Sequence, residues 1–210
     1  MYYIGMQKVT SAQRLLSFMK SHDVYVHMKE LKKHRFSPAL VKALWKDGIL
    51  ERIKAGLYRP SELNDVPDIS IGFIDVSKAI PEGIIGLISA LHYYELTTLN
   101  PSSIYIAVPH NKKVPKIEYP PTNVFYFRKR FYEYGIEHID SPYGPIKIYS
   151  REKTVCDMFR YRKKFGEDIA LEALKNYINH NQANFHKLME CAVICQVKTT
   201  ISPYLKALLG

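Results

Sequence analysis

The 210-residue sequence contains only three cysteines, one tryptophan and no apolar run of transmembrane length. Three cysteines, all of them after residue 150, are too few for the disulfide framework that stabilises small secreted domains. A helix that crosses a bilayer needs about 20 consecutive apolar residues, and the first ten residues lack the apolar segment of a signal peptide. We therefore expect a cytoplasmic protein that does not interact with a membrane.

The sequence also lacks the motifs of common catalytic centres. It has no Gly-Ser…Asp-x-Asp pattern of nucleotidyltransferases, and Cys191 and Cys195 predict buried thiols on one helix face rather than metal ligands. Ser89 and His92 lie three residues apart, but no nucleophile elbow or orienting carboxylate accompanies them. We expect no enzymatic activity, no metal and no cofactor. A nucleic-acid-processing enzyme that uses Asp157 or His92 remains an alternative.

Basic residues are concentrated at one end of the chain. The formal net charge is +10, and residues 1–60 contain 12 basic against 4 acidic residues, whereas residues 61–150 contain 8 against 10. Basic surfaces favour nucleic acid as a partner, because cations that contact phosphates release condensed counterions. The first 60 residues are therefore the segment most suited to bind nucleic acid.

Three short amphipathic helices are predicted in residues 11–46. The first begins with Ser11 as its N-cap, and the second lies within residues 24–34. The third begins at Ser37 and Pro38, because proline at the first helical position loses no hydrogen bond. One face of the third helix is apolar and predicted to be buried, with Leu40, Val41, Leu44 and Trp45. The opposite face is small and basic, with Ala39, Lys42, Ala43 and Lys46.

A hairpin is predicted directly after the third helix. Two alternating segments, residues 49–53 and 57–59, flank the turn Lys54-Ala55-Gly56. Three helices followed by such a hairpin predict a winged helix-turn-helix domain over residues 1–62 that binds double-stranded DNA. The alternative is a protein-interaction adaptor. The predicted DNA contacts are Ser37, Pro38, Ala39, Lys42, Ala43, Lys46, Arg52, Lys54 and Arg59.

The rest of the chain predicts a larger α+β domain over residues 63–210, after an acidic linker at residues 61–68. A helix is expected in the second half of residues 69–81, and residues 83–96 are predicted to form one buried helix. Strands at residues 103–109 and 123–130 and a hairpin at residues 135–150 follow, and then come C-terminal helices. A second nucleic-acid or antitoxin surface is predicted from Arg128, Lys129, Arg130, Lys153, Asp157, Arg160, Lys163 and Lys164.

The later motifs resemble a known family. The segments LWKDGILERIKAGLYRP, GLISALHYYELTTLNPSSIYIAVP and IKIYSREKTVCDMFRYRKKFGEDIALEALKNYI are similar, in this order, to the AbiEi-type antitoxins of type IV toxin–antitoxin systems. The SALxxxxLT and S-x-x-KT-x-x-D patterns are the most specific parts. Tyr94 departs from the family, in which many members carry histidine at this position.

The resemblance implies a function. Members of this family are transcriptional autorepressors that join a winged helix to a larger antitoxin domain and bind repeats in their own promoter. The larger domain counteracts a nucleotidyltransferase-like toxin encoded next to the antitoxin, and direct contact between the two proteins is not implied. The resemblance therefore implies a DNA-binding antitoxin, and its partners are its promoter and this toxin.

Overall fold

The computed structural model describes residues 10–65 and 70–209, and within these residues the chain has a mixed α+β fold. The helices are α1 Ser11–Ser21, α2 Met28–Lys33, α3 Pro38–Lys46, α4 Ser70–Ala79, α5 Leu87–Tyr93, α6 Lys129–Tyr132, α7 Arg151–Phe165, α8 Glu167–Ile178, α9 Phe185–Ile194 and α10 Lys198–Leu209. The strands are β1 Val26–His27, β2 Leu50–Lys54, β3 Leu57–Pro60, β4 Ile84–Ile85, β5 Ile104–Pro109, β6 Thr122–Phe127, β7 Ile136–Ile139 and β8 Ile146–Tyr149. No helix of the described residues is long and apolar enough to cross a membrane.

The N-terminal part consists of α1, α2 and α3 against a small sheet in the order β1-β3-β2. Its core contains one apolar side from each helix, including Leu15, Leu31, Val41 and Leu44, together with Leu50 of the hairpin. The side chains of Thr10 and Ser37 cap the starts of α1 and α3, whereas α2 has no side-chain cap. The predicted sequence of three helices and a hairpin is therefore present.

Two details of this part differ from the sequence prediction. The N-cap of α1 is Thr10 rather than Ser11, because the Thr10 side chain accepts a hydrogen bond from the Gln13 backbone N–H in a capping box. The second helix begins only at Met28, since residues 26–27 form β1 and pair with β3. β-branched residues such as Val26 suit a strand better than a helix.

The larger part is built on a mixed sheet in the order β6-β5-β4-β8-β7. The predicted strands at β5 and β6 and the hairpin β7–β8 are present, with β5 and β6 parallel and β7 and β8 antiparallel. Residues 83–96 do not form one helix as predicted. Ile84 and Ile85 instead form β4, which pairs with β5 on one side and β8 on the other.

The predicted C-terminal helices are also present. Ser150 caps α7 by accepting a hydrogen bond from the Lys153 backbone N–H. The fully buried side chains of Val155, Met158 and Phe159 place α7 in the larger core, and α8, α9 and α10 pack around it. The helix predicted near residue 75 is longer than expected, because α4 begins at Ser70. The predicted linker includes a short 3-10 helix at Ser61–Asp65.

The two hydrophobic cores are joined at the hairpin. Ile53 and Leu57 belong to β2 and β3, but their side chains are buried in the larger core, as is Tyr25. A buried ion pair lies beside them. The Arg59 guanidinium donates from Nε and Nη2 to the two Asp75 carboxylate oxygens at 2.7 and 2.9 Å. Both side chains are almost completely shielded from solvent.

Further side chains contact this ion pair. The Tyr25 hydroxyl donates to Asp75 at 2.7 Å, and the Asn64 side-chain oxygen accepts from Arg59 at 2.7 Å. The Tyr119 ring lies over the guanidinium, with 5.8 Å between the guanidinium carbon and the ring centroid. Since a buried charge is tolerated only with such partners, the pair fixes the hairpin against α4.

Replacing Arg59 with methionine is expected to lower the free energy of unfolding by about 3–5 kcal/mol, because Asp75 would be left as a buried charge without its cation. Urea unfolding followed by circular dichroism measures this loss. A control is Lys20→Met, which removes the exposed ion pair between Lys20 and Glu62 and should have little effect. Equal unfolding midpoints for the two variants would contradict the assigned role of Arg59.

Candidate nucleic-acid interface

The outer face of α3 is exposed along its whole length. Ala39, Lys42, Ala43 and Lys46 are all exposed, as are Ser37 and Pro38 at the start of the helix. The two lysines are four residues apart, so their side chains project from the same side of the helix. This face therefore presents two cations separated by methyl groups, with no bulky side chain between them.

The opposite face and both ends hold α3 in place. Val41 and Leu44 are buried in the smaller core, whereas Leu40 and Trp45 are half-buried and pack against it. The Ser37 hydroxyl accepts a hydrogen bond from the Leu40 backbone N–H at 3.2 Å. The predicted orientation of the helix is therefore confirmed.

Two of the predicted hairpin cations are engaged within the chain. Arg52 Nη2 lies 3.2 Å from a Glu118 carboxylate oxygen, and its guanidinium carbon is 5.0 Å from the centroid of the Trp45 ring. Lys54 Nζ donates to the Ala79 carbonyl oxygen at 2.6 Å. Both side chains are half-buried. These two cations are therefore less available to a ligand than the sequence suggested.

The prediction that Arg59 contacts DNA is wrong. Its side chain is completely buried, and its guanidinium donates hydrogen bonds to Asp75, Asn64 and the Pro60 carbonyl oxygen. A ligand could reach it only by breaking the buried ion pair. Alternation along β3 suggested an outward side chain, but all four residues of this strand are buried because α4 and residue 119 cover its second face.

The second predicted surface is also wrong at two positions. Lys153 and Asp157 are fully buried, and they form an ion pair on one side of α7. Lys153 Nζ also lies 4.3 Å from the centroid of the Tyr149 ring. Burial raises the pKa of the Asp157 carboxyl, whereas the neighbouring Lys153 and Arg160 cations lower that pKa. Neither side chain is available to a partner.

The other members of that predicted surface lie at the protein exterior. Arg160 is partly exposed, with Nη1 3.3 Å from Asp157 and its guanidinium 4.0 Å from the Phe131 ring centroid. Lys164 Nζ lies 4.2 Å from the Phe125 ring centroid. Exposed cations therefore remain where β6 ends and where α7 ends, namely Arg128, Lys129, Arg130, Lys163 and Lys164.

The remaining reactive side chains are buried or half-buried. The buried Ser89 hydroxyl accepts a hydrogen bond from the Tyr105 backbone N–H at 2.9 Å, which ties α5 to β5. His92 is half-buried on the same helix. All three cysteines are free and buried, as predicted for Cys191 and Cys195.

The residues that bind the hairpin cations could not be identified from the sequence. Asp75, Ala79 and Glu118 neutralise or bind the three hairpin cations, and each is distant in sequence. No local periodicity predicts such a contact. The only available signal was Asp75 itself, an acidic residue within the apolar segment of residues 69–81.

Comparison with known proteins adds no assignment, since neither a family model nor a curated protein matches the chain.

Asp157→Asn is expected to lower the free energy of unfolding by about 3–5 kcal/mol, because the substitution leaves Lys153 as a buried cation without its counter-ion. The measurement is urea denaturation. The matched control is Asp168→Asn, which changes an exposed carboxylate on α8 and should leave stability almost unchanged. Normal stability of Asp157→Asn, together with loss of a nucleic-acid-processing activity, would instead favour the enzyme hypothesis.

Proposed function

We propose that the chain is a DNA-binding transcriptional regulator in which residues 10–60 act as a winged helix-turn-helix. In this proposal, α3 is the recognition helix. The observation that carries it is the exposed, small and basic outer face of α3, on a helix whose opposite face is packed into a core. A face of this kind suits the major groove of double-stranded DNA.

The dimensions of α3 support this proposal. Its nine residues extend for about 14 Å at the usual rise of 1.5 Å per residue, and an α-helix of ordinary diameter, about 10–12 Å, fits the major groove, which is roughly 12 Å wide. Ala39 and Ala43 permit close approach to base edges. Lys42 and Lys46 can reach phosphates or guanine acceptor atoms.

The same face argues against a protein-interaction adaptor. Docking helices usually bury aromatic or aliphatic anchors at the centre of an interface. At the centre of α3, the exposed positions carry only alanine and lysine. The neighbouring surface is also basic, with exposed Lys29, Lys32 and Arg35. This charge favours a polyanion as the partner.

Promoter binding should weaken in the double variant Lys42→Ala/Lys46→Ala. The plot of log affinity against log salt concentration should become less steep by about 0.9 for each phosphate that the variant no longer neutralises. Fluorescence anisotropy with a duplex from the region upstream of the chain's own gene measures both quantities.

A matched control for this experiment is Lys175→Ala/Lys206→Ala. These substitutions remove the same charge from exposed positions on α8 and α10, which pack around α7 rather than the hairpin. Equal DNA affinity of the two double variants would refute α3 as the recognition helix. Absence of any salt-dependent affinity in the unmodified protein would favour the adaptor.

The antitoxin part of the proposal rests on the sequence resemblance. In it, the regulator represses its own promoter and residues 70–209 counteract a nucleotidyltransferase-like toxin encoded by the adjacent gene. The motif residues Ser150, Lys153 and Asp157 have structural roles within α7. The neutralising activity is therefore assigned to exposed residues of the larger part, and the proposal does not require a stable complex with the toxin.

Repression and neutralisation should be separable. In cells that express the adjacent toxin from an independent promoter, Lys42→Ala/Lys46→Ala should lose repression of a reporter but restore growth as well as the unmodified protein does. The physical reason is that these side chains are exposed on α3 and do not support either core. Concurrent loss of both activities in a normally folded variant would assign neutralisation to DNA binding.

A further inference from the structure

The outer edge of the hairpin is occupied by a segment of the larger part. Ile117 forms an antiparallel bridge with Lys54, and the Glu118 backbone N–H donates to the Ile53 carbonyl oxygen at 2.8 Å. The Glu118 carboxylate also pairs with Arg52. This segment therefore continues the small sheet beyond β2.

This arrangement changes what the hairpin can offer to DNA. A wing ordinarily places its cations against the phosphate backbone beside the groove. Here Arg52 is neutralised by Glu118, Lys54 binds the Ala79 carbonyl, and Arg59 is buried against Asp75. Within residues 50–60, all of which the structure describes, the hairpin consequently retains no fully exposed cation.

We propose that the loop Asn111–Lys116 supplies the backbone-contacting cations in place of the hairpin, through Lys113 and Lys116. This inference rests on the proposed function. Both lysines are exposed, and the structure gives neither of them a partner among the described residues. The ligand is the sugar-phosphate backbone of the duplex that α3 occupies.

The path of the chain places this loop at the hairpin turn. Because the bridge between Lys54 and Ile117 is antiparallel, the residues before Ile117 run alongside the residues after Lys54. Lys116 is therefore adjacent to the turn Ala55-Gly56. Lys113 lies three residues before Lys116, so the two Cα atoms are at most roughly 11 Å apart in an extended chain.

A chain of side-chain contacts connects the loop to α3. The Trp45 ring of α3 contacts the Arg52 guanidinium, which in turn pairs with Glu118. Lys116 lies two residues before Glu118, a separation of at most about 7 Å. The loop is therefore close enough to flank a groove in which α3 is inserted.

The loop is also held in place before any ligand binds. Val114 and Ile117 are half-buried against the larger core, and Lys112 Nζ lies 2.9 Å from a Glu82 carboxylate oxygen. Val114 and Ile117 face inward, whereas Lys113, Pro115 and Lys116 are exposed. A preorganised loop loses little conformational entropy on binding.

The test compares the double variants Lys113→Ala/Lys116→Ala and Lys113→Arg/Lys116→Arg in the full-length protein. The alanine variant should bind the promoter duplex on the order of tenfold more weakly near 0.1 M salt, and its salt slope should fall by up to about 1.8. The arginine variant retains both charges and should bind with nearly unchanged affinity. Lys175→Ala/Lys206→Ala again serves as the charge-matched control.

The outcomes separate the two proposals. If Lys42→Ala/Lys46→Ala weakens binding but Lys113→Ala/Lys116→Ala matches the control, the loop has no role and the inference is overturned, while α3 remains the recognition helix. If the unmodified protein has no salt-dependent affinity for the duplex, the proposed function and this inference both fail. Weaker binding by both alanine variants, with affinity restored by arginine in the loop, supports the inference.

Discussion

The buried ion pair between Arg59 and Asp75 joins the two parts of the chain. Arg59 lies on β3 of the small sheet and Asp75 lies on α4 of the larger part. An uncompensated charge at either position would cost several kcal/mol, so the pair is stable only while the hairpin stays packed on α4. The position of α3 relative to the larger sheet follows from this constraint, because β2 begins four residues after α3 ends.

In our proposal, the packing of the hairpin on the larger core also determines which residues contact DNA. A hairpin cannot bury Ile53 and Leu57 in the larger core and also insert freely beside a groove. The cations that its sequence supplies are consequently used within the protein, as Arg52 with Glu118 shows. Recognition is then left to the exposed face of α3, and contacts to the phosphate backbone pass to neighbouring residues whose side chains remain in solvent.

The features that could be predicted from the sequence are those determined locally. The faces of α3 follow from helical periodicity, its start follows from Ser37 and Pro38, and the hairpin β7–β8 follows from alternation around a turn. β4 could not be predicted, because two isoleucines form a strand only through pairing with β5 and β8. The burial of Arg59 could not be predicted either, since its partner is sixteen residues away.

Lys153 and Asp157 show a second reason why burial could not be predicted from the sequence. Their spacing of four residues was visible in the sequence, but such a pair usually marks the exposed face of a helix, whereas here both side chains are buried on α7. The motif that carries the family resemblance is thus held by internal contacts, as is Ser89 in the SALxxxxLT pattern. Residues fixed by burial indicate how a chain folds. What it binds has to be argued from exposed side chains, which in our proposal include Lys42 and Lys46 on α3 and Lys113 and Lys116 in the loop before Ile117.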